Sequence, residues 1–126
     1  MEIKVLKNNQ NLKLKPAKLA VIDIGSNSIR MLIYEDFNSS RVPFFNEKAV
    51  CELGKNLDKS RKLHKSGVDY AQKVLKRFSE ILNVSKIVNL KIIATAVLRE
   101  ATDSKPFVEY VDCLLYTSPS PRDAIP

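Results

Sequence analysis

The sequence predicts an α/β domain on a mixed sheet, with elements in the order strand, strand, strand, helix, strand, helix. Three observations lead there. Two continuous apolar runs, residues 19–23 and 90–94, have the length and composition of strands covered on both faces. Between them, residues 66–83 carry apolar side chains at intervals of three and four, the mark of one amphipathic helix. The first run is followed, across a short polar turn, by the β-forming residues 29–34, so these two strands pair as an antiparallel hairpin. The fourth strand arrives by a helical crossover, which makes the sheet mixed.

Residues 1–18 hold five lysines and no steady periodicity, and are expected to form a mobile basic leader. The first strand ends on Asp23, and Gly25, Ser26, Asn27 and Ser28 lead into the second, which carries Arg30. Residues 35–41 are polar and turn-like, and 44–53 make a third extended segment. Residues 54–65 read as a charged loop. In the helix, Val68, Ala71, Val74, Leu75, Phe78, Ile81 and Leu82 form the core stripe, while Lys73, Lys76, Arg77 and Glu80 take the wet side. Ser66 is the expected cap, with Gly67 in the first turn. The fourth strand, 90–94, leads to residues 95–101 at its carboxyl end. Asp103 or Ser104 then caps a last helix through Phe107, Tyr110 and Val111. Ligands of such sheets bind beyond the carboxyl ends of strands, and both Asp23 and Thr95 lie there.

The 126 residues suffice for one compact domain, and 44% hydrophobic content sets the chain apart from disordered ones. A formal charge of +7 favours polyanionic partners without choosing among them, and a lysine-rich source proteome would give the same balance. Cys51 and Cys113 match no metal-ligand spacing, and Cys51 reads as packing. His64, the only histidine, reads as a helix-entry or surface residue. No apolar run reaches transmembrane length and no secretory signal is evident, so a soluble cytoplasmic protein is expected.

The chemistry concentrates in residues 19–30. An apolar strand delivers one carboxylate, Asp23. Gly25 allows close backbone approach, and Ser26, Asn27 and Ser28 offer amide and side-chain donors to phosphate oxygens. Asp23 could hold Mg²⁺ directly or through water, since Mg²⁺ often shares phosphates with a carboxylate. The same residues also make a good tight turn with no ligand at all.

This segment resembles the first phosphate loop of the exopolyphosphatase and guanosine pentaphosphate phosphohydrolase family, within the actin-like, sugar kinase and Hsp70 ATPase superfamily. The Ser-Asn-Ser-Ile-Arg continuation points to the phosphatase branch rather than to an actin-like ATPase or sugar kinase. Further along, Phe45-Asn46-Glu47-Lys48 and Leu53-Gly54-Lys55-Asn56-Leu57 resemble the family's third strand and Leu-Gly-x-Gly-Leu turn, with Asn56 in place of the second glycine. Asn is the next most tolerant residue for a left-handed position. The segment from Ala94 to Ala101 resembles the family's Ala-Thr-x-x-x-Arg-x-Ala, while Asp103 stands where Asn is usual.

The resemblance, over residues 19–111, implies a ribonuclease H-like (actin-like ATPase) domain, incomplete at its C-terminus. It implies phosphate binding by Gly25, Ser26, Asn27, Ser28, Arg30, Thr95 and Arg99, and metal binding by Asp23 with Mg²⁺ as cofactor. It further implies release of terminal phosphate from inorganic polyphosphate or guanosine pentaphosphate, with water attacking a phosphoryl group stabilised by metal, amides and arginine. The family's water-activating glutamate belongs to a Ser-Gly-x-Glu-Glu segment not found in these 126 residues, so no catalytic residue is assigned and the fragment is expected to be inactive alone. A non-catalytic polyphosphate-binding module is the competing reading. Neither membrane nor nucleic acid is an expected partner, and a full-length family member could be a homodimer.

Residues 112–126 look foreign to the domain. Helical patterning stops and three of the six prolines crowd together. The Leu-Leu-Tyr-Thr-Ser-Pro-Ser-Pro-Arg-Asp string resembles translated sequencing-adaptor read-through, and a Pro/Ser linker is the alternative. The first domain would then lack its last strand and covering helix, so poor solubility or a molten state is expected.

Overall fold

The computed structural model describes residues 2–5, 18–35 and 42–117. Five strands form one sheet: β1 (Glu2–Val5), β2 (Leu19–Ile24), β3 (Ser28–Tyr34), β4 (Phe45–Val50) and β5 (Asn89–Ala94), in the spatial order β1-β5-β2-β3-β4. β2, β3 and β4 meander antiparallel, and β5 returns beside β2 in parallel, as the hairpin and crossover reading requires. Four helices, α1 (Leu57–Ser60), α2 (Lys65–Val84), α3 (Ala96–Glu100) and α4 (Lys105–Asp112), complete the described order, with a π-helical turn at Cys113–Thr117.

Register explains the core. Ala20 faces Ile33 and Leu90, Ile22 faces Met31 and Ile92, and Ile24 faces Ile29 and Ala94. All nine are buried, in one cluster with Leu75, Phe78 and Leu82 of α2 and Phe107 and Val111 of α4. The alternate residues, including Val21, Asp23, Arg30, Leu32 and Ile93, are half-buried or exposed. Coverage on both faces is therefore not what the described residues show. The helices cover one face, and the pleat sends every second side chain to the other.

The segment 54–65, expected as a charged loop, holds the short helix α1, and four boundaries also differ from the sequence expectations. First, Glu2–Val5 pairs antiparallel with β5, so the expected leader begins with a strand, where polar and apolar residues alternate; residues 6–17 lie outside those described. Second, β4 stops at Val50 rather than Leu53, because Cys51 to Gly54 turn to meet the β2–β3 hairpin. Third, α2 starts at Lys65 with His64 in the cap position, not Ser66, and the Ser66 hydroxyl lies 2.8 Å from His64 Nε2. Fourth, order continues past Val111. Leu115 is fully buried and Tyr116 is 6% exposed, so residues 112–117 pack with the domain, while 118–126 lie outside the described residues.

At α4 the cap position falls to Ser104, but its hydroxyl donates to the Leu98 carbonyl at 2.5 Å instead of accepting from the helix. Asp103 is drawn away altogether, its Oδ1 accepting the Leu63 N–H at 2.9 Å.

Candidate phosphate-binding site

The β2–β3 hairpin puts Gly25, Ser26 and Asn27 at the carboxyl end of the parallel β2–β5 pair. Its closing bond runs from the Gly25 N–H to the Ser28 carbonyl, at 2.9 Å. No described glycine has a positive φ, so left-handed backbone is not the reason for Gly25. A Cβ there would lie 3.2 Å from the Ser28 oxygen, a tight contact that a shift of a few tenths of an ångström would relieve.

The turn after β4 holds the hairpin tip from one side. Asn27 O accepts from the amides of Cys51 and Glu52, at 3.0 and 2.9 Å, and Ser26 O accepts from the Gly54 N–H at 2.9 Å. A trans peptide sets its N–H opposite its C=O. With both carbonyls drawn to the turn, the amides of Asn27 and Ser28 face the other way. Ser26 and Asn27 are exposed and Ser28 is half-buried. An exposed tip whose carbonyls are engaged by the turn, with amides facing away from it, suits an anion.

That supporting turn needs unusual backbone. Glu52 and Asn56 have φ of 59° and 62°. Asn56 thus takes the left-handed conformation that its place in the Leu-Gly-x-Asn-Leu turn led one to expect. Gly67 of α2 lets the helix start press on the same turn, since a Cβ there would lie 2.5 Å from the Cys51 oxygen and 2.9 Å from that of Glu52.

Thr95 reaches the hairpin directly, its N–H donating to Ile24 O at 3.0 Å. It is exposed in the cap position of α3, and its side chain makes no cap bond there. Arg99 lies one turn further on, exposed and about 6 Å along the helix axis from Thr95. It is a neighbouring cation rather than part of the tip. Asp23 is exposed on the open face, directly across from Arg30 on β3 and from Ile93 on β5. Arg30 also stands opposite Lys48, and its guanidinium donates to Asn46 Oδ1 at 2.5 Å. The structure therefore gathers Asp23, residues 25–28, Arg30 and Thr95 into one region, with Arg99 at its margin.

A groove of about 550 Å³ opens beside Gly54, lined also by Leu57, Asp58, Arg61 and Glu100. The sequence reading assigned none of these a role, nor the Cys51 and Glu52 amides, nor Asn46. The Leu-Gly-x-Asn-Leu motif was the signal for Gly54. The Phe45-Asn46-Glu47-Lys48 motif marks Asn46 only as part of a strand, because its partner Arg30 is 16 residues away.

Among the described residues no group of three or more His, Cys, Asp or Glu side chains could hold a metal ion. One exposed carboxylate, Asp23, does fit an ion completed by water and substrate phosphates, which is how Mg²⁺ is commonly held.

Fold and site together define a domain of the actin-like ATPase fold with an exposed hairpin tip at its strand ends. A Ppx/GppA structure from Aquifex aeolicus superposes with a TM-score of 0.73 at 24% identity, over 80% of this chain and 33% of that one. The chain belongs to the Ppx/GppA phosphatase family, whose model matches residues 32–115. A guanosine-5′-triphosphate,3′-diphosphate pyrophosphatase from Aliivibrio fischeri is 30% identical over 100 residues, which are 79% of this chain and 20% of that protein. Exopolyphosphatase 1 of Mycobacterium bovis is 28% identical over 95 residues, 75% of this chain and 28% of that one. The chain thus spans between a fifth and a third of the relatives it matches.

Proposed function

We propose that this chain supplies the first phosphate loop of a phosphohydrolase that releases terminal phosphate from inorganic polyphosphate or guanosine pentaphosphate. The observation that carries the reading is the exposed hairpin tip, where the carbonyls of Ser26 and Asn27 are held by the Cys51–Gly54 turn, which by trans-peptide geometry turns the amides that follow them away from it. Outward amides would bind phosphoryl oxygens without having to reorganise. Thr95 would close the opposite side, and Arg30 and Arg99 would add charge-assisted contacts. Asp23 would hold Mg²⁺, which supplies neutralisation of phosphate charge when bound. The names of the relatives, a pyrophosphatase of a guanosine nucleotide and an exopolyphosphatase, support both substrates equally. No residue described here takes the part of general base.

The test begins with the native reading frame, sequenced past the Thr117 codon, and continues with phosphate release by its full product. The expected result is Mg²⁺-dependent release that Asp23→Ala and Arg99→Ala abolish. Salt-sensitive binding of long polyphosphate without any phosphate release would transfer the conclusion to a binding module.

A further inference from the structure

We infer that Gly54 is a positioning residue for the hairpin tip: by withholding a side chain it gives the Ser26 hydroxyl a place to rest, away from the outward amides. The inference rests on the phosphate-loop reading and concerns which residue keeps that loop open.

The geometry is specific. A Cβ at Gly54 would lie 2.1 Å from Ser26 Oγ and 3.1 Å from Ser26 Cβ, with Val97 Cγ2 at 3.4 Å on its other side. Since Gly54 has no positive φ, its backbone would accept alanine. The conflict is therefore spatial, and it falls mainly on one hydroxyl. The Ser26 side chain and the Ser26 carbonyl both turn toward Gly54, the carbonyl bonded to the Gly54 N–H at 2.9 Å. The Asn27 amide faces the opposite way. A methyl at position 54 would drive Ser26 into another staggered rotamer, about 120° round. The hydroxyl would then swing out of its recess and crowd the side on which a phosphate must approach.

Two readouts on the full chain separate this inference from the reading beneath it. The first needs no ligand: the three-bond couplings of the Ser26 β-protons report its rotamer. One dominant rotamer is expected in the unmodified chain and a different one in Gly54→Ala. Unchanged couplings would overturn the inference. The second is a titration with sodium tripolyphosphate, followed on the amide resonances of residues 25–28. Gly54→Ala is expected to weaken binding about tenfold, and Ser26→Ala/Gly54→Ala to bind as Ser26→Ala does, because no hydroxyl remains to be displaced. A tenfold loss that persists in the Ser26→Ala background would place the effect in the backbone and overturn the inference. Should Gly54→Ala fail to fold, recovery in the double variant supports the inference and continued failure refutes it. Absence of tripolyphosphate binding by the unmodified chain would count against the phosphate-loop reading, while the couplings still decide the role of Gly54.

Discussion

Asp103 Oδ1 accepts the backbone N–H of Leu63 across 40 positions of sequence, at 2.9 Å. Beside it, the Thr102 amide and hydroxyl both donate to Arg61 O, at 2.8 and 3.1 Å. The corner after α3 is in this way fastened to the approach to α2, and the His64 N–H, bonded to Leu53 O at 2.9 Å, extends the tie to the turn beneath the hairpin. Leu63 is buried, so its amide has little access to water as a substitute. Asp103→Ala should cost about 1–2 kcal/mol of unfolding free energy. Asp103→Asn keeps a carbonyl acceptor and should stay within about 0.5 kcal/mol of the unmodified chain. Urea unfolding of the two variants checks both values.

Gly67→Ala sets two effects against each other. Alanine inside a helix gains up to about 1 kcal/mol over glycine. Here, however, the new methyl would meet two carbonyl oxygens, of Cys51 and Glu52, at 2.5 and 2.9 Å. Backbone cannot rotate aside as a side chain can, and overpacking costs about 1–3 kcal/mol. The expected sign is destabilising, by about 1–2 kcal/mol net. A rise in the thermal midpoint would show that the turn yields freely.

Asn56 tests the left-handed turn. Its φ is 62°, and no cap bond from its side chain explains the choice of residue. Asn56→Gly should therefore be nearly neutral, whereas Asn56→Ala should lose about 1 kcal/mol. Equal stability of the two would mean that backbone conformation is not what selects this residue.

Burial pushes the Cys51 thiol up from its ordinary 9.0. The folded chain thus holds this proton longer than the unfolded chain does. Stability from this group is complete below 9.0 and falls as the pH rises from there toward the folded value. The difference in urea midpoint between the unmodified chain and Cys51→Ala should be constant to about pH 8 and shrink by about pH 10. A difference that does not move would show the thiol to be as accessible as in a peptide. Tyr110, also raised by burial, is common to both chains and cancels.

The paired strands were legible because their pattern is local: an apolar run at 19–23, the β-forming residues 29–34 and a tight polar turn between them leave one hairpin. The stripe of α2 was legible for the same reason, with Ala71, Val74, Leu75, Phe78 and Leu82 all buried. The helix ends were less so. Ser66 and Asp103 have good capping chemistry, yet other partners, the neighbouring His64 ring for one and the distant Leu63 amide for the other, claimed their side chains. At the site, Gly25 and Ser26 could be found by motif. The reason for Gly54 could not, since it is set by a side chain 28 positions earlier in the chain. The packing of residues 112–117 against the domain was not legible, because Leu115 and Tyr116 sit in a string whose composition points elsewhere, although both are buried.

The place of β5 between β1 and β2 also sets an order of events during synthesis. The β2–β3–β4 meander needs only near neighbours, so it can pair as soon as it leaves the ribosome. Its inner border, the edge of β2, then waits for β5, which begins at Asn89. From the end of β3 at Tyr34 to the end of β5 at Ala94 is 60 residues (94 − 34), or roughly 3–12 s at ~5–20 residues per second. Throughout that interval the nascent chain offers Ala20, Ile22 and Ile24 uncovered, beside an unpaired strand edge. Slow translation through α2 would lengthen the exposure, so the yield of soluble chain should depend on codon usage over residues 65–94 more than on that of any later stretch.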